Sequence, residues 1–184
     1  MLADILDKEL DLKVKNLKEE INIRDYEFFL IKEIGFEGEY PRKEAIENLL
    51  GSFRSENLNF LYLILGDKKK VYFYLGVSRR IDKSLEIDID DVAKYFLDAN
   101  IKANFRGSKI KRLNNDKKRS LKNRLKDFNY VNLIDGIVDE NEEAKKFQGI
   151  DRLVDAMVGD EFALLVVANP FELDEIKEIE KNYI

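Results

Sequence analysis

An α+β fold is what this sequence predicts, and three features predict it. "NFLYLILGDKKKVYFYLGV" holds two β-rich runs, Phe60 to Leu65 and Val71 to Val77, around a turn led by glycine, which is the signature of an early β-hairpin. Amphipathic helical patterns stand on both sides of it. "EFALLVVANP" is a continuous apolar run of strand length, the pattern of a strand buried on both faces. Strands alternating with helices in the C-terminal half then imply a mixed sheet.

At the N-terminus, Leu10, Val14, Leu17 and Ile21 follow Ile5 and Leu6 at helical spacing, so a helical arm is expected, docked on its own domain or extended as a coiled coil. "DYEFFLIKEIGF" reads equally as helix or strand. In "PRKEAIENLLGSF", Pro41 suits a first helical position, and Ala45, Ile46, Leu49, Leu50 and Phe53 share one face. After the hairpin, "DIDDVAKYFLDAN" predicts a helix capped by Asp88, with Ile89, Val92, Phe96 and Ala99 on its apolar side. Lys109 to Leu113 suits a short strand. A basic helix with Asn115 as N-cap comes next, and "YVNLIDGIV" is a further candidate strand. Beyond the acidic loop "DENEE", the segment "GIDRLVDAMVGD" predicts a short helix closed by Gly159, and Gly149 at its start is expected in a backbone conformation that only glycine tolerates. "FELDEIKEIEKNYI" is helical in pattern. The organisation expected is an N-terminal helical region, 1–56, and an α+β domain, 57–184, forming one compact unit. The helical pattern runs to the last residue without Gly, Pro or a polar tail to stop it, which reads either as a piece of a longer protein or as a natural terminal helix that frays.

Composition narrows the chemistry. With 184 residues, 45% of them hydrophobic, 12 Phe and 8 Tyr, the chain can bury a core and is too apolar for disorder. Cysteine and histidine are both absent. That excludes disulfides, thiolate and imidazole metal ligation, and every Ser-His or Cys-His nucleophile. No apolar run approaches the roughly 20 residues that span a bilayer. The start, "MLADILDKELDLKVK", lacks the cationic and apolar regions of a secretory signal, so a cytoplasmic chain without membrane insertion is expected.

No phosphate-binding loop G-x-x-x-x-G-K-[ST] occurs. Asp88, Asp90 and Asp91 lack the glycine and distal glutamate of a calcium loop and read as a helix cap with solvated acids. Glu175-Ile176-Lys177 matches the E-x-K of metal nucleases but lies in a helical pattern, where an exposed charged face explains it better. No catalytic, metal or cofactor-binding residue is therefore assigned, and no cofactor is expected.

Charge supplies the remaining signal. From Phe105 to Lys126 the chain carries ten Lys and Arg against one acid, Asp116, although the whole protein has a formal charge of -5. At about 100° per residue, Leu121, Leu125 and Phe128 form an apolar stripe, and Arg119, Lys122 and Lys126 form a cationic ridge away from it. Lys117, Lys118 and Arg124 flank the stripe, where their stems can cover apolar surface. Lys109, Lys111 and Arg112 lie just upstream. These cations either bind nucleic-acid phosphates, or meet acids of the same fold or a sister subunit, or form a solvated face. The second reading has an obvious counterpart: Val131 to Ile184 holds 14 acids and 5 bases.

"FLYLILGDKKKVYFYLGV", "FRGSKIKRL" and above all "FQGIDRLVDAMVGDEFALLVVANP" resemble the region that precedes the motor in bacterial ATP-binding proteins of the HerA/FtsK superfamily, similar to conjugation and DNA-translocation ATPases. The likeness covers roughly residues 57–184, and its most specific part is Gln148, Gly149, Ile150, Asp151, Arg152 and Leu153. No position matches the family's Walker motifs, so no catalytic residue carries over. The resemblance implies a non-catalytic accessory domain, whose partners are a downstream ATPase domain or sister subunits. A stand-alone nucleic-acid-binding protein is the alternative.

Overall fold

The computed structural model describes residues 22–34, 42–53, 57–80, 85–132 and 149–170. Its fold is α+β, built on a five-stranded sheet: β1 (Tyr26–Glu33), β2 (Leu58–Gly66), β3 (Val71–Arg79), β4 (Lys109–Arg112) and β5 (Phe162–Ala168), in the order β4-β1-β3-β2-β5. All four pairings are antiparallel, so the expected mixed sheet is corrected to an antiparallel one. β2 and β3 form the predicted hairpin. Asp67 closes its turn: the carboxylate accepts from the Lys69 and Lys70 amides at 2.8 and 3.0 Å, and the two amides hold its pKa below the ordinary carboxylate range.

The ambiguous "DYEFFLIKEIGF" supplies β1, an inner strand between β3 and β4. Its pairing with β3 puts part of the 1–56 region inside the sheet, so that region is not wholly helical and residue 56 marks no boundary between sheets. The helical arm of residues 1–21, the acidic loop and the last helix lie outside the described residues. Of the candidate strand "YVNLIDGIV", only Tyr130 to Asn132 is described, and these residues are exposed and in no strand.

One sheet face is covered by α1 (Arg42–Ser52) and α2, a continuous helix over residues 89–104. Only Ala45, Leu49 and Phe53 of the predicted α1 face are buried; Ile46 and Leu50 stay exposed. α2 begins as predicted, with the Asp88 carboxylate accepting from the Asp90 amide at 2.9 Å. Its middle, Val92–Leu97, is π-helical. The wider turn rotates the later residues about the helix axis. The buried set is therefore Ile89, Val92, Ala93, Leu97 and Ile101, and Ala99 is exposed where regular α-periodicity places it inward.

The opposite face is covered by α3 (Asn115–Lys126) through the predicted stripe, Leu121, Leu125 and Phe128. Its N-cap is Asn114 rather than Asn115: the Asn114 side chain accepts from the Lys117 amide at 3.1 Å. Either asparagine can cap, and the end of β4 decides which one does. α4 (Gly149–Ala156) precedes β5. Gly149 is its first helical residue. The positive-φ glycines among the described residues are instead Gly107 (φ 77°) and Gly159 (φ 100°), the latter in the turn that ends α4.

β5 departs most from expectation. Its run predicted a strand buried on both faces, yet among the described residues it is the terminal strand of the sheet. Phe162 is buried, but Leu165, Val166 and Val167 are 47%, 40% and 50% exposed. An apolar run reads alike in both settings; only the neighbours differ.

Candidate functional site

Two features bear on function: the basic stretch around α3 and the open surface along β5. The basic stretch starts in β4, whose pairing with β1 brings Phe29 opposite Arg112. One further bond, from the Leu113 amide to the Phe28 carbonyl at 2.9 Å, ends that ladder, leaving Tyr26 and Glu27 beyond it. Lys118, in the first turns of α3, fills the gap. Its ammonium donates to the carbonyls of Ile23 (3.2 Å) and Tyr26 (3.4 Å) and to the Glu27 carboxylate. All three N–H donors are thereby used, and Lys118 and Glu27 are only 3% and 5% exposed.

Arg112 completes the cluster from the other side of Glu27. Its Nε donates to Glu27 at 3.1 Å and its Nη2 to Asp90 of α2 at 2.5 Å. Burial works against its charge, but the hydrogen bond and charge of Glu27, then those of Asp90, outweigh this and raise its pKa. The chain of contacts Lys118, Glu27, Arg112, Asp90 thus links α3, β1, β4 and α2 across the edge of the sheet. At its far end, α3 is held by Arg124, whose Nη2 donates to the Gly66 carbonyl at 2.7 Å.

The six candidate cations therefore do not make one patch. Arg112 is committed to Glu27 and Asp90. Lys109 pairs with Glu33 at 2.7 Å on the β4 edge, and Lys111, beside it, is exposed. Arg119 is exposed and lies 3.8 Å from Asp116. Lys122 and Lys126 stand together on the side of α3 that faces β5. Among the described residues, the acids that meet the basic stretch come from β1, α2 and α3 itself, while most acids of the C-terminal third, to which sequence reasoning points, lie outside the described residues. Glu27 escapes such reasoning because a single acid in an apolar strand carries no local sign of its partner.

Within the motif of the last third, Gln148 lies outside the described residues, Gly149 and Asp151 are placed only as backbone of α4, and Arg152 is exposed on that helix. Among the described residues no group of three or more carboxylates converges as a metal site would require, and no helix is long and apolar enough to cross a membrane.

Between α3 and β5 the sheet is open. α3 covers the β1 and β3 side of this face, and a groove of about 730 Å³ remains beside it. Leu121 and Leu125 form one wall, Leu61 and Phe28 line the base, and Leu165 and Val167 of β5 form the other side. The rim is polar, with Lys122 and Lys126 at α3 and the Asp25–Arg79 ion pair (2.9 Å) at one end. Such a shape favours apolar contact with charged flanks. No protein-family model, no curated protein and no solved structure matches this chain.

Proposed function

We propose that this chain is a non-catalytic docking domain, the accessory domain of a translocase-type ATPase of the HerA/FtsK kind, acting in assembly or in presentation of partners to the motor. The observation that carries the docking role is the β5 surface. Three large aliphatic residues in a row, Leu165 to Val167, lie open along a sheet edge and beside an apolar groove. Contiguous apolar surface of this kind marks sites of protein contact. The motor attribution rests on the sequence resemblance. The internal use of Arg112, Lys118 and Arg124 weighs against the nucleic-acid alternative, because these cations serve the fold first.

Arg119, Lys122 and Lys126 nevertheless supply enough charge for the alternative to be tested directly. The purified chain is expected to show no ATP turnover above background and no binding to generic duplex DNA at 150 mM salt. Phosphate-driven binding would declare itself by a steep fall in affinity between about 50 and 200 mM salt, and by its loss on converting the three ridge residues to Glu. Tight duplex binding at 150 mM salt, or hydrolysis that copurifies with the protein, overturns the proposal.

A further inference from the structure

We infer that β5 is a self-association edge: two copies of this chain join their β5 strands antiparallel about a two-fold axis centred on Leu165, making one ten-stranded sheet. The inference rests on the docking role just proposed and names the partner as a second copy.

The first argument is the state of the edge. β5 closes the strand order, and among the described residues no strand pairs with its outer side. Its outward N–H and C=O groups form a template for a further strand. Edge strands are ordinarily protected by Lys, Pro or a bulge, and Phe162 to Ala168 contains no charge and no proline. Its register with β2 is regular over all seven residues. A protected edge looks otherwise.

The second argument is self-complementarity. Centring the axis on Leu165 sets Leu165 against its own copy, Leu164 against Val166, Ala163 against Val167 and Phe162 against Ala168. At the ends, the larger residue of each pair meets an alanine, and all seven pairs are apolar. The charges agree as well. Glu161 then faces Asn169 and Asp160 faces Pro170, so the acids that precede each strand lie apart. Parallel pairing in register would stack Asp160 and Glu161 on their own copies, which is unfavourable. A two-fold is also the symmetry that an antiparallel pair of identical strands produces without further constraint. On the α3 side of the sheet, Leu165 and Val167 are groove residues, so pairing brings the two grooves together across the junction.

One strand pair and its flanking side chains give an interface below the roughly 1,200 Å² of a standard stable complex, so the dimer should dissociate on dilution. Sedimentation velocity of the full 184-residue chain over a dilution series is the first measurement, with a monomer–dimer equilibrium expected. Leu165→Lys places two ammonium groups opposite each other at the axis and should leave only monomer, with an unchanged circular dichroism spectrum because the site is half exposed. Cross-linking tests the register independently of that variant. The chain has no cysteine, and opposed residues in an antiparallel pair have Cα atoms about 4.5–5.5 Å apart, within disulfide reach. Leu165→Cys should oxidise to a covalent dimer. Ala163→Cys alone should not, but should cross-link when mixed with Val167→Cys. A chain that is monomeric at every concentration overturns the inference, and so does a dimer that cross-links at none of these positions. A monomer that also ignores DNA overturns self-association and leaves the docking role intact for a different partner, whereas DNA binding removes the docking role itself.

Discussion

Replacing Lys118 with Met is expected to cost the fold about 3–5 kcal/mol, because it removes one partner of a buried ion pair and leaves the other behind. Glu27 would keep the Arg112 contact at 3.1 Å but lose the ammonium that satisfies its second oxygen. The carbonyls of Ile23 and Tyr26 would lose a donor in the same step. Met matches the lysine stem in length, so the loss reports the charge and its hydrogen bonds more than packing. Joint replacement, Glu27→Leu with Lys118→Met, should recover much of the stability, since a buried pair exchanged for apolar groups is often neutral or better. Arg112 and Asp90 would still pair in that variant. Arg119→Met, one residue along the same helix but exposed, should shift stability by under about 1 kcal/mol. Urea denaturation midpoints at constant m-value measure all three. A Lys118→Met loss below that of Arg119→Met would sink the assignment of Lys118 as the internal anchor of the basic helix.

That contrast shows what the sequence could and could not convey. The stripe Leu121, Leu125, Phe128 is legible because helical periodicity is local, and all three residues pack where it places them. The hairpin and the Asp88 cap are legible for the same reason: turn chemistry and side-chain-to-backbone bonds act over a few residues. Lys118 falls on the flank of the stripe, correctly in angle, but its partner Glu27 is 91 residues away and nothing local announces it. The π-helical turn in α2 is illegible because nothing in Val92–Leu97 breaks the ordinary pattern; the shift shows only in which side chains are buried. β5 reads as a strand but not as an edge. Its composition suits two neighbours, and among the described residues it has one.

The second large effect is expected in β3. Gly76→Ala should destabilise the protein by roughly 2–3 kcal/mol, at the upper part of the range for overpacking a filled site. β3 lies between β1 and β2, so Gly76 is flanked on both sides by backbone. In register it faces Phe28, and a Cβ built on it would approach the Phe28 ring to 2.5 Å and the Glu27 carbonyl oxygen to 2.6 Å. The ring cannot turn away freely, because it is buried and packs edge-on against Tyr26 and Tyr74 with centroids 5.8 and 6.2 Å apart. The carbonyl cannot move without opening the β1–β3 ladder next to Glu27, the residue that neutralises Lys118. Alanine's advantage in the unfolded chain, about 0.4–1 kcal/mol, works in the opposite direction and is too small to win. Gly51 supplies the control, since a Cβ there meets nothing within 4 Å and the residue lies near the exposed end of α1. Alanine at Gly51 should therefore raise stability slightly, by up to about 1 kcal/mol. Thermal and urea midpoints of the two variants should move in opposite directions. Equal, small shifts would mean that Phe28 and Gly76 are not cross-strand neighbours, and the register that carries Glu27 to Lys118 would fall with them.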